Sequence, residues 1–223
     1  MTLTATQDVV MSDDIITEYA AGKLSPAKHI IVACQSEIAK SVAERVAFQE
    51  EIAASMLEDT ESQSLSPLFM GNVLASLPAQ ESANENDIEH PVDGLAPKSL
   101  RHMLGHGLKD MKWKSLVPGV AVHDILGNRK TKEGDRLYLL KAKGGMRMPD
   151  HSHTGEEWSL ILTGSYTVGE KRFTRGDLHI EDETETHAPH IDEGEDCICL
   201  VMTQGPLKMQ GWLPKVVQRV VGI

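Results

Sequence analysis

Residues Gly144–Gly164 read "GGMRMPDHSHTGEEWSLILTG": two histidines one residue apart, two adjacent glutamates, then an alternating apolar run. In an extended strand successive side chains leave opposite faces, so His151 and His153 point the same way and reach one ion. Glu157 lies at an even spacing from His153 and offers a carboxylate oxygen to that face. Glu156 has the opposite parity, although a bend at Thr154 and Gly155 would reverse the two. A fourth donor must come from another strand, and His179, His187 and His190 are the candidates. Three imidazoles and one carboxylate suit zinc, and would also hold iron, manganese, nickel or copper.

The same pattern extends outward. After Trp113, short alternating runs sit between glycines: "GVAVHDIL", "DRLYLLKAK", "EEWSLILTGSYTV", "KRFTRGDLHIE" and "CICLVMTQG". Runs of this length, punctuated by turn residues, predict an antiparallel sandwich or barrel and not βαβ units. In the last run Cys197 and Cys199 share a strand face, but two strand positions one residue apart do not easily close a disulfide. Both are read as small buried apolar residues.

Upstream, residues 13 to about 77 are mostly helical. Ser12 is placed to cap "DDIITEYAAGKL", whose first-turn acids favour the helix dipole. Ser25 and Pro26 start a second helical stretch with no further proline or glycine until after Leu57. Within it Ile31, Cys34, Ile38, Val42 and Val46 recur at three- and four-residue steps and form one apolar stripe. Ser66 heads "SPLFMGNVLASL", making three or four short helices in all. Between roughly Pro78 and Pro97 the composition becomes that of a linker. The expected architecture is therefore α+β and multidomain: a small helical bundle over residues 1–85, a linker over 86–97 and an all-β domain over 98–223.

The formal net charge is −11, with 4 basic and 13 acidic residues in the first 85 positions. An acidic chain repels phosphate, which argues against direct nucleic-acid binding. Three cysteines make no disulfide framework, no apolar run reaches membrane-span length, and the N-terminus lacks the pattern of a signal peptide. A cytoplasmic protein with reduced thiols is expected.

"G-x5-H-x-H-x3-E-x6-G" from Gly145 through His151, His153 and Glu157 to Gly164 resembles the first motif of the cupin superfamily, with every spacing kept. The second cupin motif fits from Gly176 to His187, with Asp182, Thr184 and Ile191 replacing its proline, glycine and asparagine. The resemblance implies a double-stranded β-helix barrel and selects His187 as the fourth ligand. His90, His102, His106, His123, His179 and His190 are left as solvated or locally bonded residues.

Nearly the whole chain resembles the ChrR family of anti-sigma factors. The marks are "EYAAGKL", "APKSLRHMLGHGLKDMKWKSLVPGV", "HSHTGEE", "FTRGDL" and "GEDCICLV". The resemblance implies a helical domain that sequesters an alternative, extracytoplasmic-function sigma factor. It also implies a metal-bound cupin domain that governs release under oxidative stress, with no catalytic residues. The family's front zinc motif, H-x3-C-x2-C, falls on Gln35, Ala39 and Val42, none of which ligates zinc. His29 and Cys34 are five apart, off one helix face, and lack partners. An N-terminal zinc site is therefore expected to be absent. The reading from a different class is a metal-dependent cupin enzyme, a dioxygenase or isomerase, whose helices serve oligomerisation.

Overall fold

A computed structural model describes residues 11–77, 94–126, 134–205 and 208–209. Most of the expected linker, residues 78–93, lies outside them. Helices come first and strands after, as the sequence leads one to expect. The helices are α1 (Asp13–Ala20), α2 (Pro26–Ile38), α3 (Lys40–Glu58), α4 (Phe69–Ser76) and α5 (Lys98–Leu104). Among the described residues no helix is long and apolar enough to cross a membrane.

Ser12 and Ser25 cap α1 and α2, accepting from the backbone N–H groups of Ile15 and Lys28. Gly22 turns the chain between them at φ +65°, a conformation that an L side chain resists. The long second stretch divides at Ala39, which is extended at φ −106° and ψ 106°. No proline or glycine marks this break. Tertiary contacts do: Gln35 donates its side-chain amide to the Gly176 carbonyl at 3.0 Å, and Ile38 crowds the same turn of the barrel. Past the break, α3 returns Val42 and Val46 to the core beside Ile16, Ile31 and Cys34. Apolar side chains thus fill the layer between these helices.

The strands are β1 (Lys114–Val117), β2 (Val120–Asp124), β3 (Arg136–Ala142), β4 (His151–Ser152), β5 (Glu157–Thr163), β6 (Ser165–Val168), β7 (Lys171–Thr174), β8 (Leu178–Glu181), β9 (His190–Ile191), β10 (Cys197–Thr203) and β11 (Lys208–Met209). A six-stranded sheet runs β1-β2-β3-β10-β5-β8, a three-stranded sheet runs β7-β6-β9, and β4 pairs with β11. Every pairing is antiparallel.

The two faces of the large sheet have separate cores. Tyr138, Ile161, Cys197, Cys199 and Val201 face the barrel interior with Tyr166 and Phe173. Leu137, Leu139, Trp158, Leu160, Leu162, Leu200 and Met202 face outward and join one cluster with Ile16, Ile31, Val32 and Leu100 of the helices. This explains why β5 carries Trp158, Leu160 and Leu162 on its outer face and β10 is apolar at every position but Thr203: the helical layer covers the face that would otherwise meet water. Each fully buried leucine here contributes about 1.5–3 kcal/mol. On the helical side Glu37 caps α5 by accepting from the backbone N–H groups of Lys98 and Ser99. Arg175 donates to the carbonyls of Gly94, Leu95 and Leu162, tying the entry segment to β5.

Candidate metal centre

The backbone brings the ligand candidates together before any side chain acts. His151 and His187 exchange two N–H···O bonds, each 3.0 Å, and so stand opposite one another as a hydrogen-bonded antiparallel pair. Their imidazoles therefore leave the same face. On β5, Glu157 is inward with Ser159 and Ile161, and in the ladder it faces Glu181 of β8. Gly155, at φ +80°, makes the bend between His153 and Glu157, and Gln204 lies where its Cβ would be. The bend leaves the parity intact, with Glu157 inside and Glu156 outside. One donor atom from each of His151, His153, Glu157 and His187 lies within 4.8 Å of the others.

Hydrogen bonds orient the rings. His151 Nδ1 donates to the Pro149 carbonyl at 2.7 Å, and His187 Nδ1 pairs with Glu181. With the ring protons on Nδ1, the two Nε2 lone pairs face each other at 2.8 Å. Lone pairs at that distance repel unless a proton or a metal ion is shared between them. His153 Nε2 is buried with no hydrogen-bond partner, and its Nδ1 is 3.3 Å from a Glu157 oxygen. Among the described residues, these converging, under-satisfied donors fit a divalent ion. All three histidines are buried, so water competes poorly for the site.

Glu181 escaped the sequence reading, and His179, left there as a solvated or locally bonded residue, is partly buried beside it. Glu181 is 4% exposed and holds both His187 and His179, the latter at 3.4 Å. His179 also pairs with the Tyr166 hydroxyl at 2.9 Å and stacks on Phe173 at 4.1 Å. The cupin motif names ligands only. Glu181 was nonetheless findable, since it lies two residues from His179 on one strand and so shares its face. His190 is exposed on β9, away from the cluster. Cys197 and Cys199 line the cavity beside the ligands, buried, with Sγ atoms 3.7 Å apart.

Burial, and then the facing Glu181, push the Glu157 carboxyl up to about 8. Burial, and then His151 and His187, press His153 down to about 4. Burial likewise lowers His151, joined by His187, and takes His179 to about 4 against the pull of Glu181. Burial alone would raise Glu181, but the hydrogen bond from His187 and the neighbouring imidazoles hold it below its ordinary value. A cation reverses the tension at Glu157 by displacing its proton, so metal uptake should tighten as pH rises towards 8.

The metal-free protein should show the converse. Between about pH 6.5 and 8, folded Glu157 keeps a proton that the unfolded chain has released, so stability falls as pH rises. Below about 6.5 the buried histidines stay neutral while their unfolded counterparts take up protons, so stability falls as pH drops. Urea unfolding of chelator-treated protein is expected to show this maximum, and Glu157→Gln should flatten the alkaline limb. An alkaline limb equally steep in the variant would assign it to another group.

Residues 102–208 match the family described as the ChrR cupin-like domain. The anti-sigma-E factor ChrR of Cereibacter sphaeroides is 34% identical over 215 residues, covering 93% of this chain and 95% of that protein. A crystal structure of Rhodobacter sphaeroides SigE in complex with the anti-sigma ChrR superposes with a TM-score of 0.70 at 30% identity. It covers 86% of this chain and 97% of the matched one.

Proposed function

This chain belongs to the ChrR family of anti-sigma factors, and from that premise we propose that its helices hold an alternative sigma factor of the extracytoplasmic-function type until oxidative stress releases it. In this reading residues 1–85 bind the partner and residues 98–223 carry the metal and the sensing, within the cytoplasm. The observation that carries the binding role is α4. It has no buried residue, yet it exposes Phe69, Met70, Val73 and Leu74, and the adjoining Leu68 and Leu77 are exposed as well. Phe48, Ile52 and Met56 form a second exposed apolar stripe, on α3, at four-residue steps. An apolar helix left in water marks a surface for a partner. Glu44, Glu50, Glu51, Glu58 and Glu61 lie exposed on or beside α3 and would steer a basic partner towards it. The acidic composition alone pointed to charge as the binding force; the helices add an apolar contact for that charge to guide a partner onto.

For the barrel, the reading is that His151, His153, Glu157 and His187 hold one zinc ion. Zinc in such a four-donor site would supply a redox-inert crosslink between β4, β5 and the segment carrying His187. Glu181 and the Pro149 carbonyl fix the ring orientations, and burial of the ligands keeps water out.

The test is reconstituted transcription driven by a cognate sigma factor, with full-length protein and its His187→Ala variant. The native chain should repress, and oxidant should lift repression. The variant should repress but release poorly. Absence of repression by the native chain, together with metal-dependent turnover of a small molecule, would favour the enzyme reading.

A further inference from the structure

The helical layer and the ligand strand meet at one polar point whose residues interleave with the metal ligands. Lys28, in the first turn of α2, pairs with Glu156 at 2.7 Å and lies 4.8 Å from the centre of the Trp158 ring. Trp158 Nε1 donates to the same Glu156 oxygen at 2.8 Å. Glu156 and Trp158 flank Glu157, so one three-residue stretch presents a ligand inward and the seat of Lys28 outward. Its backbone is held from the far side as well: Glu156 N–H donates to the Gln204 side chain, and Gln204 N–H donates to the Glu156 carbonyl, both at 3.1 Å. The Lys28 side chain is 17% exposed and packs on Trp158, itself 2% exposed, while the Glu156 side chain keeps 39% exposure, so solvent reaches the pair from the carboxylate side only and weakens it less than a fully exposed ion pair.

We infer that Lys28, Glu156 and Trp158 form a latch that couples occupancy of the metal centre to the seating of α2 on the barrel. This inference rests on the zinc reading above. Setting Glu157 on an ion fixes the backbone of residues 156–158, and with it the position of the Glu156 carboxylate and the indole that receive Lys28. Two other α2 contacts, Ser25 with Asp135 and Gln35 with the Gly176 carbonyl, reach parts of the barrel that do not adjoin a ligand. They hold α2 without reporting on the metal.

Thermodynamic reciprocity makes the latch measurable from either end. If zinc tightens the seating of α2 by some factor, loss of the latch must weaken zinc by the same factor. In the full-length protein, Lys28→Met and Glu156→Gln are each expected to lower zinc affinity by about fivefold or more, measured by competition with a chelating dye. Lys28→Arg keeps the charge and should bind zinc like the native chain, and the exchanged pair Lys28→Glu, Glu156→Lys should recover part of the loss. Hydrogen exchange should show zinc protecting the amides of residues 26–38 in the native chain and protecting them less in Lys28→Met. Variants that fold, as judged by circular dichroism, and bind zinc within twofold of the native value would overturn the latch while leaving the zinc site standing. A native chain that takes up no zinc would overturn both.

Discussion

The His151→Ala, His153→Ala double variant is expected to bind zinc more than about a hundredfold more weakly than the native chain and to purify with almost none. Two of four converging donors are removed, and His187 and Glu157 remain as a pair too sparse to complete a tetrahedral site. Stability should follow by mass action. Zinc at a thousandfold excess over its Kd stabilises the folded state by about 4 kcal/mol. For a chain of this size that corresponds to a melting shift of about 8–16 °C. The variant should lose that zinc-dependent increment, so the quantity to measure is the difference between melting in zinc and in chelator for each protein. Comparing differences removes the cost of truncating two buried rings. Metal content near one ion per chain in the variant would place the site elsewhere.

The second large effect concerns α4. Met70 and Leu74 stand one turn apart, each about 60% exposed, so changing either to aspartate disturbs no core. Met70→Asp and Leu74→Asp should leave the melting temperature of the free protein nearly unchanged, as surface substitutions away from special features do. In the complex the same positions would place a carboxylate in an apolar contact. Affinity for the sigma factor should fall by about thirtyfold or more for each, the range of a central interface residue. Titration calorimetry with full-length protein measures both. Tight binding by both variants would remove α4 from the interface. Raising salt should slow association of the native pair more than it speeds dissociation, because the acidic surroundings of the patch act at long range.

Much of this molecule follows from the order of its residues alone. Ser12, Ser25 and Pro26 mark helix starts because capping chemistry is local. Period-two alternation places His151 and His153 on one face, and Glu157 keeps that parity across the bend at Gly155. Motif spacing selected His187, and the absence of imidazole or thiolate at positions 35, 39 and 42 was visible without coordinates.

The remainder depends on what lies across space. The break at Ala39 has no local signal and is made by the turn at Gly176 pressing on α2. Glu181 becomes the partner of two histidines only because β8 pairs with β5 and places it against Glu157. The apolar outer positions of β5 and β10 read as ordinary strand core until the helices are seen covering them. Lys28 and Glu156 are 128 positions apart; the sequence raises Glu156 only as the glutamate of opposite parity to Glu157 and gives Lys28 no role. Local periodicity decides which face a side chain leaves by, whereas pairing register and layer packing decide what it meets there. For this chain the shared face of His151 and His153 belongs to the first kind of information, and the pairing that brings His187 to them and the contact that joins Glu156 to the helices belong to the second.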